Sequence, residues 1–161
     1  MLAGKQGLFS GSDVWMTLMF QKEVAQRLAA QPSTPHRGRL AVMTQSLCNT
    51  KTVYQVPSTV FVPKPKVDAS VVQLTPRISH MDGDKAEIYA VLENILRFYF
   101  TKRRKTIGHI TRRLSKEVSL PDPVAADLEV IMDFKARPED ITTEQFWQVA
   151  VLFHKYKVAI Q

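Results

Sequence analysis

The hydrophobic periodicity of this chain changes near residue 80, and that change limits the possible folds more than any other feature. Before it, three short runs rich in β-branched and aromatic residues predict strands: "DVWMTLMFQ" (13–21), "TKTVYQV" (50–56) and "ASVVQLT" (69–75). Two further runs, "KEVAQRLAAQ" (22–31) and "RLAVMTQSLCN" (39–49), have helical spacing. The order strand, helix, helix, strand, strand predicts the closing part of an α/β sheet that lacks its first strands.

From residue 80 onward the pattern is wholly helical. The run "KAEIYAVLENILRFYF" (85–100) carries apolar residues on one face: Ile88, Val91, Leu92, Ile95 and Tyr99. A second helix is expected over about residues 103–115, with a buried side marked by Ile107, Ile110 and Leu114. "TTEQ" (142–145) resembles a capping box, and the helix after it has an apolar stripe of Phe146, Val149, Ala150 and Phe153. We therefore expect an α/β unit followed by an all-α unit.

Positive charge is concentrated in one short block. The chain has a formal net charge of +7, and residues 101–117 hold seven Lys or Arg against one Glu, between two acidic stretches. On the expected helix, the residues opposite the buried side are Lys105, His109, Arg112 and Lys116. Such a block is typical of a surface that binds a polyanion, and equally of a solvated helix face. Charge alone leaves both interpretations open.

Several kinds of site are excluded by residue counts and spacing. A single cysteine, Cys48, excludes a disulfide framework and a multi-cysteine zinc site, and predicts a small core residue in an intracellular protein. The histidines show no metal-ligand spacing: His36, His80, His109 and His154. The early glycines match no phosphate-binding fingerprint: Gly4, Gly7 and Gly11. No apolar run approaches the roughly 20 residues that span a bilayer, so we expect a soluble protein without a membrane partner.

The segment "FVPKPKVDASVV" (61–72) places an aromatic residue before a stiff cationic stretch. Pro63 and Pro65 restrict φ and remove two amide donors, so this loop is expected to be rigid and to offer no sheet edge. Lys64 and Lys66 alternate with the prolines. The residues alone allow two interpretations of Phe61, as a core residue beside the sheet or as an exposed ring at a strand end.

Five segments occur in an order that resembles a known family. They are "MTLMFQKEVAQRL", "GRLAVMTQSLCN", "VFVPKPKVDASVVQLTP", "RRKTI" and "RPEDITTEQFWQVAVLF". From Met16 to the C-terminus the chain resembles the small-subunit rRNA adenine N(6),N(6)-dimethyltransferases. "MTLMFQKEVAQRLAA" is most similar to the mitochondrial members, whose relatives include mitochondrial transcription factors.

The resemblance implies a Rossmann-like, S-adenosylmethionine-dependent methyltransferase domain followed by a small helical domain. Residues 1–79 would be the C-terminal portion of the first, and residues 80–161 a helical rRNA-binding domain. The implied reaction dimethylates two adjacent adenines in a hairpin near the 3′ end of small-subunit rRNA. The implied partners are this hairpin and the assembling small ribosomal subunit. The implied location is mitochondrial, and otherwise cytoplasmic.

The resemblance also implies which residues contact RNA. Phe61 would stack on the target adenine after it leaves its neighbours. The residues that would contact phosphates are Lys64, Lys66, Arg103, Arg104, Lys105, Arg112 and Arg113. No metal is implied.

The chain departs from the family in its cofactor-binding residues. The family uses a glycine-rich loop after its first strand, acidic residues on the next strands, and an Asn-(Leu/Ile)-Pro-(Tyr/Phe) tetrapeptide. None of these is present. The tetrapeptide is missing because the only asparagines are Asn49 and Asn94, and neither precedes a proline motif. We therefore expect this chain to correspond to the C-terminal half of a family member and to have no methyltransferase activity alone. The alternatives are a non-catalytic RNA-binding ribosome-assembly factor and a transcription factor that binds mitochondrial DNA.

Overall fold

A small antiparallel sheet with two helices is followed by four more helices in the computed structural model, which describes residues 14–77 and 85–160. The elements are β1 (Met16–Gln21), α1 (Lys22–Leu28), α2 (Arg39–Leu47), β2 (Cys48–Val56), β3 (Ala69–Pro76), α3 (Lys85–Thr101), α4 (Ile107–Glu117), α5 (Asp122–Ile131) and α6 (Thr143–Lys155). The three predicted strands and the helices expected before and after residue 80 are confirmed. The expected boundary between the two units lies among residues 78–84, outside the described residues.

The sheet has the order β1-β3-β2, and β3 pairs antiparallel with both neighbours. Alternate residues of β3 are buried because they face the helices: Ser70, Val72 and Leu74. Val72 and Leu74 form a compact cluster with Ala25, Leu47 and Cys48. The prediction that Cys48 is a small core residue is confirmed, since it is fully buried.

The helices after residue 85 enclose the larger cluster of buried residues. Leu92, Ile95 and Tyr99 of α3 are fully buried in it, as are the predicted apolar residues of α4 and α6. The Tyr99 hydroxyl lies 2.8 Å from Thr111 Oγ1, which satisfies both buried polar groups. The capping box is confirmed as well, because Thr142 Oγ1 accepts from the Gln145 N–H and Gln145 Oε1 accepts from the Thr142 N–H.

The helix expected over residues 103–115 begins later than predicted. Thr106 is its N-cap and accepts a hydrogen bond from the His109 N–H, so α4 starts at Ile107. The preceding residues form a turn, closed by a 2.8 Å hydrogen bond from the Lys105 N–H to the Lys102 carbonyl. Lys105 therefore lies before the helix, and its expected place on the helix face was wrong.

Helix α5 was not predicted. Its sequence, "DPVAADLEVI", is short, and its first turn contains a proline, which is tolerated there because the first-turn amides have no intrahelical acceptor. Val124 and Leu128 give it a narrow buried stripe. Among the residues that the structure describes, no helix has the length and apolar content needed to cross a membrane.

Candidate nucleic-acid interface

The loop between β2 and β3, here called the aromatic loop (residues 57–68), is closed at its base by a side chain. Ser58–Val60 form a single 3-10 turn, and the Phe61 N–H donates to the Ser58 carbonyl at 3.4 Å. Asp68 Oδ1 accepts a 2.9 Å hydrogen bond from the Ser58 N–H. This bond, with the nearby charges of Lys22 and Lys64, lowers the pKa of the Asp68 carboxyl. The closed base holds both ends of the loop together.

Phe61 is half-buried in this loop, between two exposed valines. Val60 is 64% exposed and Val62 is 99% exposed. Lys64 and Lys66 are also exposed, and neither forms a salt bridge with a described residue. The half-buried ring is compatible with anchoring the loop and with stacking on a base, so its role stays a prediction.

The basic segment (residues 102–113) contains cations in two different states. The Arg103 guanidinium forms a salt bridge with Glu139 and donates to the Pro35 carbonyl at 2.8 Å. Arg113 Nε donates to Glu117 Oε1, four residues later, at 2.8 Å. Intramolecular contacts therefore already occupy two of the five predicted phosphate-binding residues of this segment.

The other three predicted cations of the basic segment point to solvent. The side chains of Arg104, Lys105 and Arg112 are exposed and make no hydrogen bond or salt bridge with any described residue. Beside them, Lys102 Nζ lies 3.6 Å from the centroid of the Phe98 ring, a cation–π contact. The structure thus keeps Arg104, Lys105 and Arg112 available for a polyanion.

A polar cleft that the sequence did not indicate lies between β2 and the start of α6. It has a volume of about 350 Å³. Arg77 is one of the residues that line it, and its guanidinium donates to Asn49 Oδ1 at 3.0 Å and to Glu144 Oε1 at 2.9 Å. Partial burial opposes ionisation of Glu144. The hydrogen bonds from Arg77 and from its own backbone N–H, with the charges of Arg77 and Arg37, outweigh this and lower its pKa. The polar residues that line the cleft come from separate elements that are distant in sequence, so no local pattern identified it.

The described residues do not fit S-adenosylmethionine as a ligand. The cleft is lined mainly by polar residues, and their side chains already hydrogen-bond within the protein: Arg77 donates to Glu144, and the Thr143 hydroxyl donates to Gln45 Oε1. Neither described glycine forms a cofactor loop, because Gly38 is the N-cap of α2 and Gly108 packs against Phe134. The described residues therefore support no catalytic step through the cofactor. Within residues 14–77 and 85–160, no group of three His, Cys, Asp or Glu could hold a metal ion.

Comparison with known proteins gives a consistent family match. A family model described as "Ribosomal RNA adenine dimethylase" matches residues 5–134. The chain is 39% identical, over 85% of its length and 45% of the relative, to the ribosomal RNA small subunit methyltransferase A of Lactobacillus johnsonii. It is 36% identical to the mitochondrial dimethyladenosine transferase 1 of Vermamoeba vermiformis, over 97% of this chain and 43% of that protein. The chain spans less than half the length of these curated relatives.

A solved structure has a similar fold. The crystal structure of a dimethyladenosine transferase from Plasmodium falciparum matches with a TM-score of 0.79 and 24% sequence identity. The match covers 99% of this chain and 64% of that one. The three-stranded sheet and its helices therefore occur within a methyltransferase fold.

Proposed function

Because this chain belongs to the ribosomal RNA adenine dimethylase family, we propose that it provides the RNA-facing part of an rRNA adenine N(6)-dimethyltransferase. The reaction would be the S-adenosylmethionine-dependent dimethylation of two adjacent adenines near the 3′ end of small-subunit rRNA. The observation that carries the proposal is the family match through the aromatic loop and the basic segment. S-adenosylmethionine supplies the methyl groups in such a reaction, and the residues described here would hold the RNA.

The aromatic loop suits a base that has left its stack. Stacking on an aromatic ring is worth roughly 1–3 kcal/mol per base, comparable to the few kcal/mol that unstacking costs. Phe61 is half-buried, so part of the ring surface remains for contact while the rest anchors the loop. Lys64 and Lys66, exposed beside it, would meet the phosphates of the same strand.

The basic segment suits the backbone of a folded RNA. Arg104, Lys105 and Arg112 are exposed and unpaired within the described part of the chain, so binding a phosphate would not require breaking a salt bridge. Arg103 and Arg113 would first have to leave Glu139 and Glu117. We assign the first three to phosphate contacts and the last two to contacts that form after rearrangement.

The two clusters of buried residues support a division into two domains. One cluster joins the sheet to α1 and α2, and the other lies mainly among the helices after residue 85. We assign residues 1–79 to the C-terminal portion of a Rossmann-like methyltransferase domain and residues 80–161 to a helical rRNA-binding domain. The partners would be the rRNA hairpin and the assembling small ribosomal subunit. The mitochondrial relatives support a mitochondrial location.

A binding comparison tests the RNA assignment. We expect the chain to bind the unmethylated 3′ hairpin of small-subunit rRNA more tightly than duplex DNA of equal length, in the same buffer and at the same salt concentration. A control hairpin with its unpaired adenines replaced by uracils should bind more weakly, because the stem contacts remain while the target bases are lost. Equal or tighter binding to the DNA would favour the transcription-factor alternative and contradict the proposal.

A non-catalytic RNA-binding factor is the second candidate, because the described residues do not fit the cofactor. Incubation of the 161-residue chain with methyl-labelled S-adenosylmethionine and unmethylated rRNA separates binding from catalysis. We expect no label above a no-protein control. Incorporation of label would contradict this expectation and exclude the non-catalytic candidate, whereas hairpin binding without incorporation is the result expected for both candidates.

A further inference from the structure

Arg37 is a buried arginine that joins the sheet side of the molecule (residues 14–77) to the helical side (residues 85–160). Its long side chain is fully buried, with 0% exposure. Nη1 donates to the Ala30 carbonyl at 3.0 Å and to Gln45 Oε1 at 2.6 Å, both on the sheet side. Nη2 donates to Thr143 Oγ1 at 2.9 Å and to the Ile141 carbonyl at 3.4 Å, both at the start of α6. Nη1 of the guanidinium thus binds the sheet side, and Nη2 binds the helical side.

The charge of Arg37 is buried without a hydrogen-bonded carboxylate. All four of its acceptors are neutral, and Nε has no hydrogen-bond partner among the residues that the structure describes. Burial lowers the pKa of Arg37 to about 10, against the opposing charge of Glu144, so the side chain stays protonated at neutral pH. An apolar residue would fill this volume without the cost of desolvating a charge. Stability alone therefore does not explain an arginine here.

Neighbouring hydrogen bonds extend this network and join the same two sides. Gln45 Nε2 donates to the carbonyls of Leu28 and Ala30, which extends the network to the end of α1. The Ser33 N–H donates to the Glu139 carbonyl at 2.9 Å, so the segment between α1 and α2 is tied to the residues before α6 at a second point. A planar guanidinium with its donors in a fixed geometry sets directions that a flexible ammonium cannot.

We propose that Arg37 is a positioning residue: its guanidinium sets the orientation of α6 and the helical side relative to the sheet, and thereby the spacing between the aromatic loop and the basic segment along one bound RNA. The second part rests on the proposed function. The first part concerns the protein alone.

The orientation is measured with spin labels, without RNA. Lys51→Cys on β2 and Lys116→Cys on α4 place labels at exposed positions on the two sides, while the native Cys48 is fully buried. In Arg37→Met we expect a broader distance distribution or a shift in its mean of more than about 2 Å, the scale of helix movements at packed interfaces. The matched control is Arg27→Met, which removes the same charge from an exposed residue of α1. The proposal would be overturned if Arg37→Met and Arg27→Met gave the same distribution of distances between the two labels.

The spacing is measured with two RNA lengths. An RNA long enough to reach both surfaces should bind Arg37→Met about tenfold to a hundredfold more weakly than it binds Arg27→Met, because two linked contacts become independent. A short oligonucleotide that reaches only one surface should bind both variants equally. Equal losses for both RNAs would overturn the spacing role, since they indicate general damage.

Two further variants keep the test decisive. If Arg37→Met does not fold, Thr143→Val removes one helix-side acceptor and leaves the arginine in place, and the same distance comparison applies. Arg37→Lys keeps the charge and loses the planar geometry, so its distances should change in the direction of Arg37→Met. If wild type shows no preference for the longer RNA, the proposed function fails, and the distance measurement still decides the role of Arg37.

Discussion

At the scale of single residues, the predicted RNA contacts separate by whether they already have partners. Arg103 and Arg113 each have a carboxylate, whereas Arg104, Lys105 and Arg112 have none among the described residues. Exposed pairs of this kind are worth little for stability, typically below about 1 kcal/mol. Their main effect is to reduce the charge available to a polyanion.

The proposed stacking of the Phe61 ring on a base can be tested by truncating its side chain. Phe61→Ala should weaken binding to an RNA with an extrudable adenine by roughly 1–3 kcal/mol, because one stacking contact is lost. The dependence on salt should not change, since no charge is removed. Fluorescence anisotropy over a salt series measures both quantities.

The control for Phe61→Ala is Val62→Ala, which truncates the adjacent exposed side chain of the same loop. If Phe61 is mainly a core residue, Phe61→Ala should instead lower the free energy of unfolding by about 3–5 kcal/mol, as truncation of a buried Phe does. Urea unfolding distinguishes the two. A large loss of stability with unchanged RNA affinity would contradict the stacking role.

At the scale of elements, the basic segment consists of a turn and a helix. Thr106 begins α4, so Lys105 lies in the turn while Arg112 lies on the helix. The two residues can therefore contact different phosphates.

Salt dependence tests this pair of residues. Lys105→Ala combined with Arg112→Ala should reduce the slope of log affinity against log salt by about 1.4–1.8, since each phosphate contact contributes about 0.7–0.9. Arg27→Ala combined with Lys51→Ala removes the same charge from the sheet side and should leave the slope nearly unchanged. An unchanged slope in the first double variant would support the solvated-face interpretation.

Strand β1 presents an apolar edge. It pairs with β3 on one side, and no described strand pairs with its other side. Leu18 is 42% exposed and Met19 is 56% exposed, and β1 itself contains no charged residue. Natural edge strands often carry a lysine or a proline that blocks pairing with another chain.

We therefore expect concentration-dependent self-association through β1. Sedimentation velocity over a range of concentrations should show it, and Met19→Lys should reduce it by placing a charge on the strand. Val130→Lys, at an exposed position of α5, is the matched control and should have no effect. A monodisperse monomer at every concentration would contradict the prediction.

At the scale of the whole molecule, polar contacts join the sheet side to the helical side. Arg77, which follows β3, binds Glu144 in the first turn of α6, 67 residues away in sequence. The pKa of Glu144 is lowered in the folded protein. A carboxyl with a lowered folded pKa contributes stability above its unfolded pKa and loses it as the pH falls through the folded pKa.

Glu144→Gln should therefore make stability less dependent on pH in the acidic range below the unfolded glutamate pKa. Thermal unfolding of the variant and wild type at several acidic pH values measures the difference, which should shrink as the pH falls. Glu129→Gln, an exposed residue of α5 without a salt bridge among the described residues, is the control. A stability difference that stays constant with pH would contradict a contribution from this pair.

Patterns within a few residues determined much of this protein. The spacing of Ile107, Ile110 and Leu114 predicted a buried helix face, and "TTEQ" predicted the start of α6, because the residues that interact are close in sequence. The order of five motifs placed the chain in its family. The sequence also indicated the cations of the basic segment, although not their partners.

Only the tertiary structure decided which distant residues meet. Arg37 and Thr143 are 106 residues apart, and Arg103 and Glu139 are 36 apart, so no local pattern relates either pair. The sheet order β1-β3-β2 likewise depends on which strands pack together and not on their individual patterns. A side chain's partner is determined by the packing of whole elements, and this is why the sequence indicated the charge of Arg103 but not its salt bridge with Glu139.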